Sequence, residues 1–253
     1  MGTRRPWLIT GLNGTLAPKL AVVLRARGEE VVGWDRDAVP VDDAEAGAAF
    51  LASVRPAGIF HLGMGAEDWA ARLASFADEL EVPFVYTSSV SVFGVAPGDP
   101  DGPFHPADRP TATDDYGAYK ARCEAAVRRA NARAVVARIG WQADLDGVGN
   151  NMVAQLAAQA AAGAGRVRAS RQWRPAMSWM PDTAEALVAL TRSGHHGVVH
   201  LDSNSTDGWS FADVVRHVAL RTGQAWVVDE NDEFVRDSRL VGGEGLIRPL
   251  SSL

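Results

Sequence analysis

Along the first 140 or so residues, short apolar runs alternate with stretches whose apolar positions recur every three or four residues. Trp7–Thr10 reads as a strand that stops at Gly11; Leu16, Leu20, Val23 and Leu24 then share one helical face until Gly28 closes the segment. The same alternation predicts strands at Val31–Trp34, Gly58–Leu62, Phe84–Thr87 and Val135–Ile139, with helices at Ala44–Val54, Asp68–Leu80 and Tyr116–Arg129. Strands that are apolar on both faces belong to parallel sheets covered by helices, and the repeated βα unit requires right-handed crossovers. The expected fold class is therefore α/β, a Rossmann-type doubly wound parallel sheet.

Beyond Ile139 the pattern loosens. Helices are expected near 151–162, 182–192 and 209–222, and strands near 166–169, 198–201 and 226–228. Residues 1–253 then form a single domain, with about 141–180 and 202–253 contributing a reduced C-terminal substrate lobe. The longest aperiodic stretch in the first half, Gly94–Asp115, is rich in Gly and Pro, as functional loops often are.

Composition narrows the classes. With one cysteine, Cys123, in 253 residues, neither a disulfide framework nor a multi-cysteine zinc site can form, which points to a reducing, cytoplasmic setting. The 25 basic residues are scattered and outnumbered by 31 acidic ones, so nucleic acid is not an expected partner. The longest uncharged stretches, 82–98 and 147–165, are broken by polar residues and Gly, and neither reads as a membrane span. His195, His196 and His200 lack partners at metal-ligand spacing, and no metal is expected.

Thr10-Gly11-Leu12-Asn13-Gly14-Thr15-Leu16-Ala17 lies where the first strand meets the first helix. Glycines there permit a tight turn and let backbone N–H groups approach a pyrophosphate at the positive end of a helix; Ala17 is small enough for helix and strand to pack closely. Asp35 ends the second strand, where a carboxylate can accept from the adenosine ribose hydroxyls and repel a 2′-phosphate. That charge argument favours NAD, while the adjacent Arg36 keeps NADP open.

Tyr116 and Lys120 stand four apart at the start of a helix, hence on one face. An ammonium near a phenol stabilises the phenolate and makes the tyrosine a usable proton carrier. Upstream, the strand Phe84–Thr87 opens into Ser88, Ser89 and Ser91 at its carboxyl end, the edge at which open α/β sheets bind ligands.

These segments together resemble the extended short-chain dehydrogenases/reductases, in the branch of dTDP-4-dehydrorhamnose reductase-like and NAD-dependent epimerase-like proteins. Thr10–Ala17 is similar to the cofactor fingerprint, Asp35 to the ribose acid, Ile59-Phe60-His61-Leu62-Gly63 to the fourth strand, Tyr86–Gly94 to the serine segment and Tyr116–Lys120 to the Tyr-x-x-x-Lys motif. The resemblance implies hydride transfer at a carbonyl or carbinol carbon of a sugar, sugar-nucleotide or other small metabolite. In that scheme Ser89 polarises the substrate oxygen, Tyr116 is the general acid or base, and Lys120 lowers the Tyr116 pKa and bonds the nicotinamide ribose. Gly11, Asn13, Gly14, Thr15, Leu16, Asp35, Arg36, Leu62, Gly63 and Thr87 would complete the NAD(P) site with Tyr116 and Lys120. Ser91, Asn151 and Arg174 are candidates for contact with substrate, and a homodimer through the helices 68–80 and 116–129 is expected.

The chain also departs from the family pattern. The segment from His61 to Asp68 is short, Tyr119 replaces a common small residue, and Val90 and Ser91 replace the Asp-Glu pair of sugar-nucleotide 4,6-dehydratases, which disfavours that reaction. A reduced lobe also leaves open a second reading, a non-catalytic NAD(P)-binding regulatory subunit.

Overall fold

The computed structural model describes residues 5–96, 98–146 and 149–252. The first half alternates strand and helix: β1 (Trp7–Thr10), α1 (Leu16–Ala26), β2 (Val31–Gly33), α2 (Ala44–Val54), β3 (Gly58–His61), α3 (Glu67–Glu79), β4 (Phe84–Ser89), α4 (Asp115–Ala130) and β5 (Val135–Ile139). A 3₁₀ turn, Val90–Phe93, follows β4. After β5 come β6 (Trp141–Ala143), α5 (Met152–Ala162), β7 (Arg166–Ser170), β8 (Trp173–Arg174), β9 (Met177–Trp179), α6 (Met180–Leu190), β10 (Gly197–Leu201), α7 (Phe211–Thr222), β11 (Val227–Asn231) and β12 (Arg236–Asp237).

Six strands form one parallel sheet in the order β10-β5-β4-β3-β1-β2. Its order reverses between β1 and β3, so a crevice opens there at the carboxyl edge. Successive side chains supply the two faces in turn. Ile9, Phe60, Val85 and Ala137 meet α1 and α6, whereas Leu8, Ile59, Phe84, Tyr86 and Val136 meet α2, α3 and α4.

Three parallel two-stranded ladders, β11-β7, β12-β8 and β6-β9, stand apart from the main sheet. The β7 ladder shares a separate apolar core with α5 and α7, including Met152, Leu156, Val167, Val215 and Val218. Strands of two or three residues are too short to display a period, which is why β6, β8, β9 and β12 escape a sequence reading. Gly140 brings this unit against the sheet, since a Cβ there would run into the Ala176 carbonyl.

Asp202, at the end of β10, anchors the same region. Its carboxylate accepts from the backbone N–H groups of Met177 at 2.9 Å, Asn204 at 2.8 Å and Leu240 at 2.9 Å. Among the described residues, no helix is long and apolar enough to cross a membrane.

Candidate active site

The turn between β1 and α1 is pressed against the end of β3. Gly11 has φ +82°, and a Cβ on it would lie 2.9 Å from the Gly63 nitrogen. Thr10 secures this contact: its hydroxyl accepts from Leu62 N–H at 3.1 Å and Gly63 N–H at 2.9 Å. With both acceptor positions used, the hydroxyl proton goes to His61 Nδ1 at 2.8 Å, so that ring nitrogen is an acceptor and the imidazole is neutral. Burial, with Lys120 and Arg36 nearby, lowers His61 to about 3, in agreement with that tautomer. His61 thus holds the crevice in shape.

Thr15 starts α1 without a side-chain cap, leaving the first-turn N–H groups available to an anion. Gly11, Gly14, Thr15, Leu16 and Ala17 line a cleft of about 830 Å³ that runs on to Thr87, Ser88, Ser89, Ser91, Tyr116 and Lys120. An open glycine turn facing an uncapped helix end fits a dinucleotide pyrophosphate. Asn13 is exposed on the turn and does not line the cleft. Asp35 and Arg36 lie exposed at the end of β2. Asp35 Oδ1 accepts from Asp37 N–H at 2.9 Å, while Arg36 donates to the Met64 carbonyl and lies 5.3 Å over the Trp69 ring.

The chemical groups meet where β4 and α4 converge. Ser89 Oγ donates to Ser91 Oγ at 3.1 Å and accepts from Ser91 N–H at 3.1 Å, closing the turn after β4. Asp114 caps α4 by accepting from Gly117 N–H at 2.8 Å. Gly117 packs directly on that serine turn, because a Cβ would strike the Ser91 carbonyl oxygen and the Ala112 methyl. This contact sets Tyr116 beside Ser89. Tyr116 remains half exposed; the burial of its inner part pushes the phenol up, and a hydrogen bond with Ser89 draws it back. Lys120 is absent from the groups that shift Tyr116; its ammonium instead donates to the Thr87 carbonyl at 2.9 Å, and burial lowers it to about 8. Tyr119 hydroxyl accepts from Gly65 N–H at 3.1 Å, bracing the short segment after β3.

Two sequence candidates for substrate contact are corrected. Asn151 is buried and wholly engaged: its Oδ1 accepts from Asp144 and Val153 N–H, and its Nδ2 donates to the Asp144 carbonyl, so it caps α5. Asn150 and Gln155 face the cleft in its place. Arg174 is exposed and lies outside the cleft lining, because its neighbour Trp173 takes the inward position on β8. Ser91 does line the cleft. Trp141 and Trp173 form an aromatic wall with Phe234, whereas Trp179 is buried in the core around α5 and α7. Phe234, Arg236 and Ser238 also line the cleft, and no sequence period marks them.

A Rossmann-type parallel sheet with a Ser, Tyr and Lys set beside its switch-point crevice defines the extended short-chain dehydrogenase/reductase class. Residues 66–236 match the family model described as the RmlD substrate binding domain, and the chain belongs to that family. The fold is also that of a dTDP-4-dehydrorhamnose reductase from Bacillus anthracis str. Ames solved with NADP: TM-score 0.79 at 16% identity, over 99% of this chain and 97% of that one. The corresponding reductase from Clostridium acetobutylicum ATCC 824 gives 0.76 at 19% identity, over 93% and 90%. The Bordetella bronchiseptica enzyme WbmH, in complex with NAD+, gives 0.74 at 19%, over 98% and 95%. No curated protein matches the sequence.

Proposed function

We propose that this protein is an NAD(P)-dependent oxidoreductase or epimerase acting at a carbonyl or carbinol carbon of a sugar, sugar-nucleotide or other small metabolite. One observation carries the reading: Ser89, Tyr116 and Lys120 open onto the same cleft as the glycine turn and the uncapped end of α1. Solved relatives of the same fold hold NADP or NAD. In this chain Gly11, Gly14, Thr15 and Leu16 would hold the pyrophosphate, Asp35 and Arg36 the adenosine ribose, and Leu62, Gly63, Thr87 and Lys120 the rest of the dinucleotide. When bound, the nicotinamide supplies or accepts the hydride.

The chain's own residues manage the proton. Ser89 Oγ, held in its turn by Ser91 N–H, would turn its single proton from Ser91 Oγ to the substrate oxygen. Tyr116 delivers a proton to that oxygen during reduction and removes it during oxidation. Lys120, fixed to Thr87, puts a positive charge on the cleft lining and holds α4 to β4. Trp141, Trp173 and Phe234 give the cleft an apolar aromatic wall against which a substrate ring can pack.

Nicotinamide fluorescence tests the cofactor half of the reading. NADH or NADPH should show saturable enhancement with the native protein and none with Gly11→Val, whose side chain would fill the space against Gly63. Equal enhancement from both proteins would remove the proposed pyrophosphate site. The reading extends to a cytoplasmic homodimer through α3 and α4, which pack side by side with an Arg122–Glu67 ion pair; a monomeric mass in sedimentation would exclude the dimer.

A further inference from the structure

The proton chemistry leaves one charge of the cleft unused. Arg236 on β12 is buried and lines the cleft next to the aromatic wall. Its Nη2 donates to the carbonyls of Gly94 at 2.7 Å and Pro100 at 3.1 Å, while its buried Nε has no partner among the described residues. The carboxylates of the flanking segments are turned elsewhere: Asp237 to Arg239, Asp101 to Asp237 N–H, and Asp99 to Ala96 N–H. Among the described residues no carboxylate pairs with this buried guanidinium, so the two carbonyls offset only part of its desolvation cost and an acidic ligand group would offset more.

The charge count of the cleft specifies that ligand further. Among its described lining residues there is no Asp or Glu, and Lys120 and Arg236 are the only Lys or Arg. Lys120 is committed to Thr87 at the catalytic end. One arginine therefore serves the whole substrate half, whereas a nucleoside diphosphate presents several negative charges. The remaining surface there is aromatic: Trp173 lies 6.0 Å from Trp141 and 5.3 Å from Phe234, ring centre to ring centre. We infer that Arg236 binds a single acidic group, a carboxylate or a phosphate monoester, at the non-reacting end of a compact substrate whose ring packs against Trp141, Trp173 and Phe234. The inference rests on the carbonyl-reduction reading of the cleft and names the substrate class for it. Arg236 also holds the loop at Gly94 and Pro100, so an acid on its free edge would bind where the loop meets β12.

Tryptophan emission from Trp141 and Trp173 provides the readout. The protein, with and without NADPH, is titrated with phenyl phosphate, phenylacetate and neutral benzyl alcohol. Native protein should bind at least one of the two anions about ten-fold more tightly than the alcohol, and the better anion identifies which acid the site takes. Arg236→Gln should abolish the preference, and Arg236→Lys should restore part of it by returning the charge without the planar fork. Equal binding of charged and neutral probes, no saturable response to either anion, or a preference untouched by Arg236→Gln would each overturn the proposal. If Arg236→Gln does not fold, the native preference and its reduction in Arg236→Lys decide the matter. Nicotinamide fluorescence in the same samples separates this inference from its parent: failure of NADPH to bind strikes the cofactor reading, and the Arg236 dependence measured without NADPH still decides the anion site.

Discussion

The Lys120 ammonium donates to the carbonyl of Thr87 at 2.9 Å, binding the helix that carries Tyr116 to the strand that delivers Ser89. The lysine also lies 4.9 Å over the Tyr86 ring, and its burial there explains its fall to about 8 from the usual 10.5. It therefore fixes geometry and supplies charge at once.

A pH profile follows from that shift. Below about pH 8 Lys120 is mostly an ammonium, which ties α4 to Thr87 and brings a positive charge to the cleft; above it the charge is lost. In the direction of carbonyl reduction, kcat/KM should hold steady near neutrality and fall as pH rises through about 8. Lys120→Met should lower it by about 100-fold and remove this limb. A limb at the same pH in Lys120→Met would assign the titration to another group.

Gly117 is predicted to act through position alone. Its α-carbon lies against the Ser91 carbonyl, so Gly117→Val must push the first turn of α4 away from the serine turn. A displacement near 1 Å costs about 100-fold in rate. The expected result is a loss of that order in kcat with little change in NADPH affinity by nicotinamide fluorescence. Unchanged kcat would show that the contact does not place Tyr116.

The buried pair behind the site should be strongly coupled. Arg138 on β5 and Glu124 on α4 form two hydrogen bonds, at 2.9 and 2.8 Å, with the guanidinium 5.0 Å from the Phe93 ring centre. Breaking such a pair strands a buried charge, so Glu124→Gln should lose about 3–5 kcal/mol in urea unfolding. The double change Glu124→Leu with Arg138→Met should recover most of it. Equal losses from the single and double variants would refute the coupling.

Asp202 predicts a stability slope of definite sign. Burial pushes its carboxyl up to about 7 from the usual 3.8, against the pull of three backbone donors. The folded chain therefore holds this proton more tightly than the unfolded chain. Its stabilising contribution is complete below pH about 3.8 and is lost as pH rises through about 7. Asp202→Asn, which keeps only one acceptor oxygen, should be less stable by about 1–3 kcal/mol, and the gap to native protein should narrow between those pH values. A gap that widens with pH would reverse the assignment.

Much of the sheet was legible in the sequence, because parallel strands buried on both faces leave apolar runs separated by helical periods. Ala44–Val54 and Val135–Ile139 match the structure at both ends. Gly11, Ser89, Tyr116 and Lys120 stand out in the sequence because each belongs to a short local motif, a glycine turn after a strand, a serine cluster at a strand end or a Tyr and Lys four apart on one helix, and all four line one cleft. Arg236 does not stand out, since it meets the Gly94 carbonyl across 142 residues and sits on a two-residue strand without a period. Asn151 and Arg174 mislead for a related reason: a cap and an outward strand position look no different in sequence from inward-facing polar residues.

The most direct test of the account compares native protein with Tyr116→Phe, following loss of NADPH or NADH absorbance against a panel of 4-keto sugar nucleotides and small acidic ring ketones. Native protein should consume reduced cofactor with at least one of them, and Tyr116→Phe should bind the cofactor equally well yet turn over about 100-fold or more slowly. Equal turnover by the two proteins would contradict the central claim.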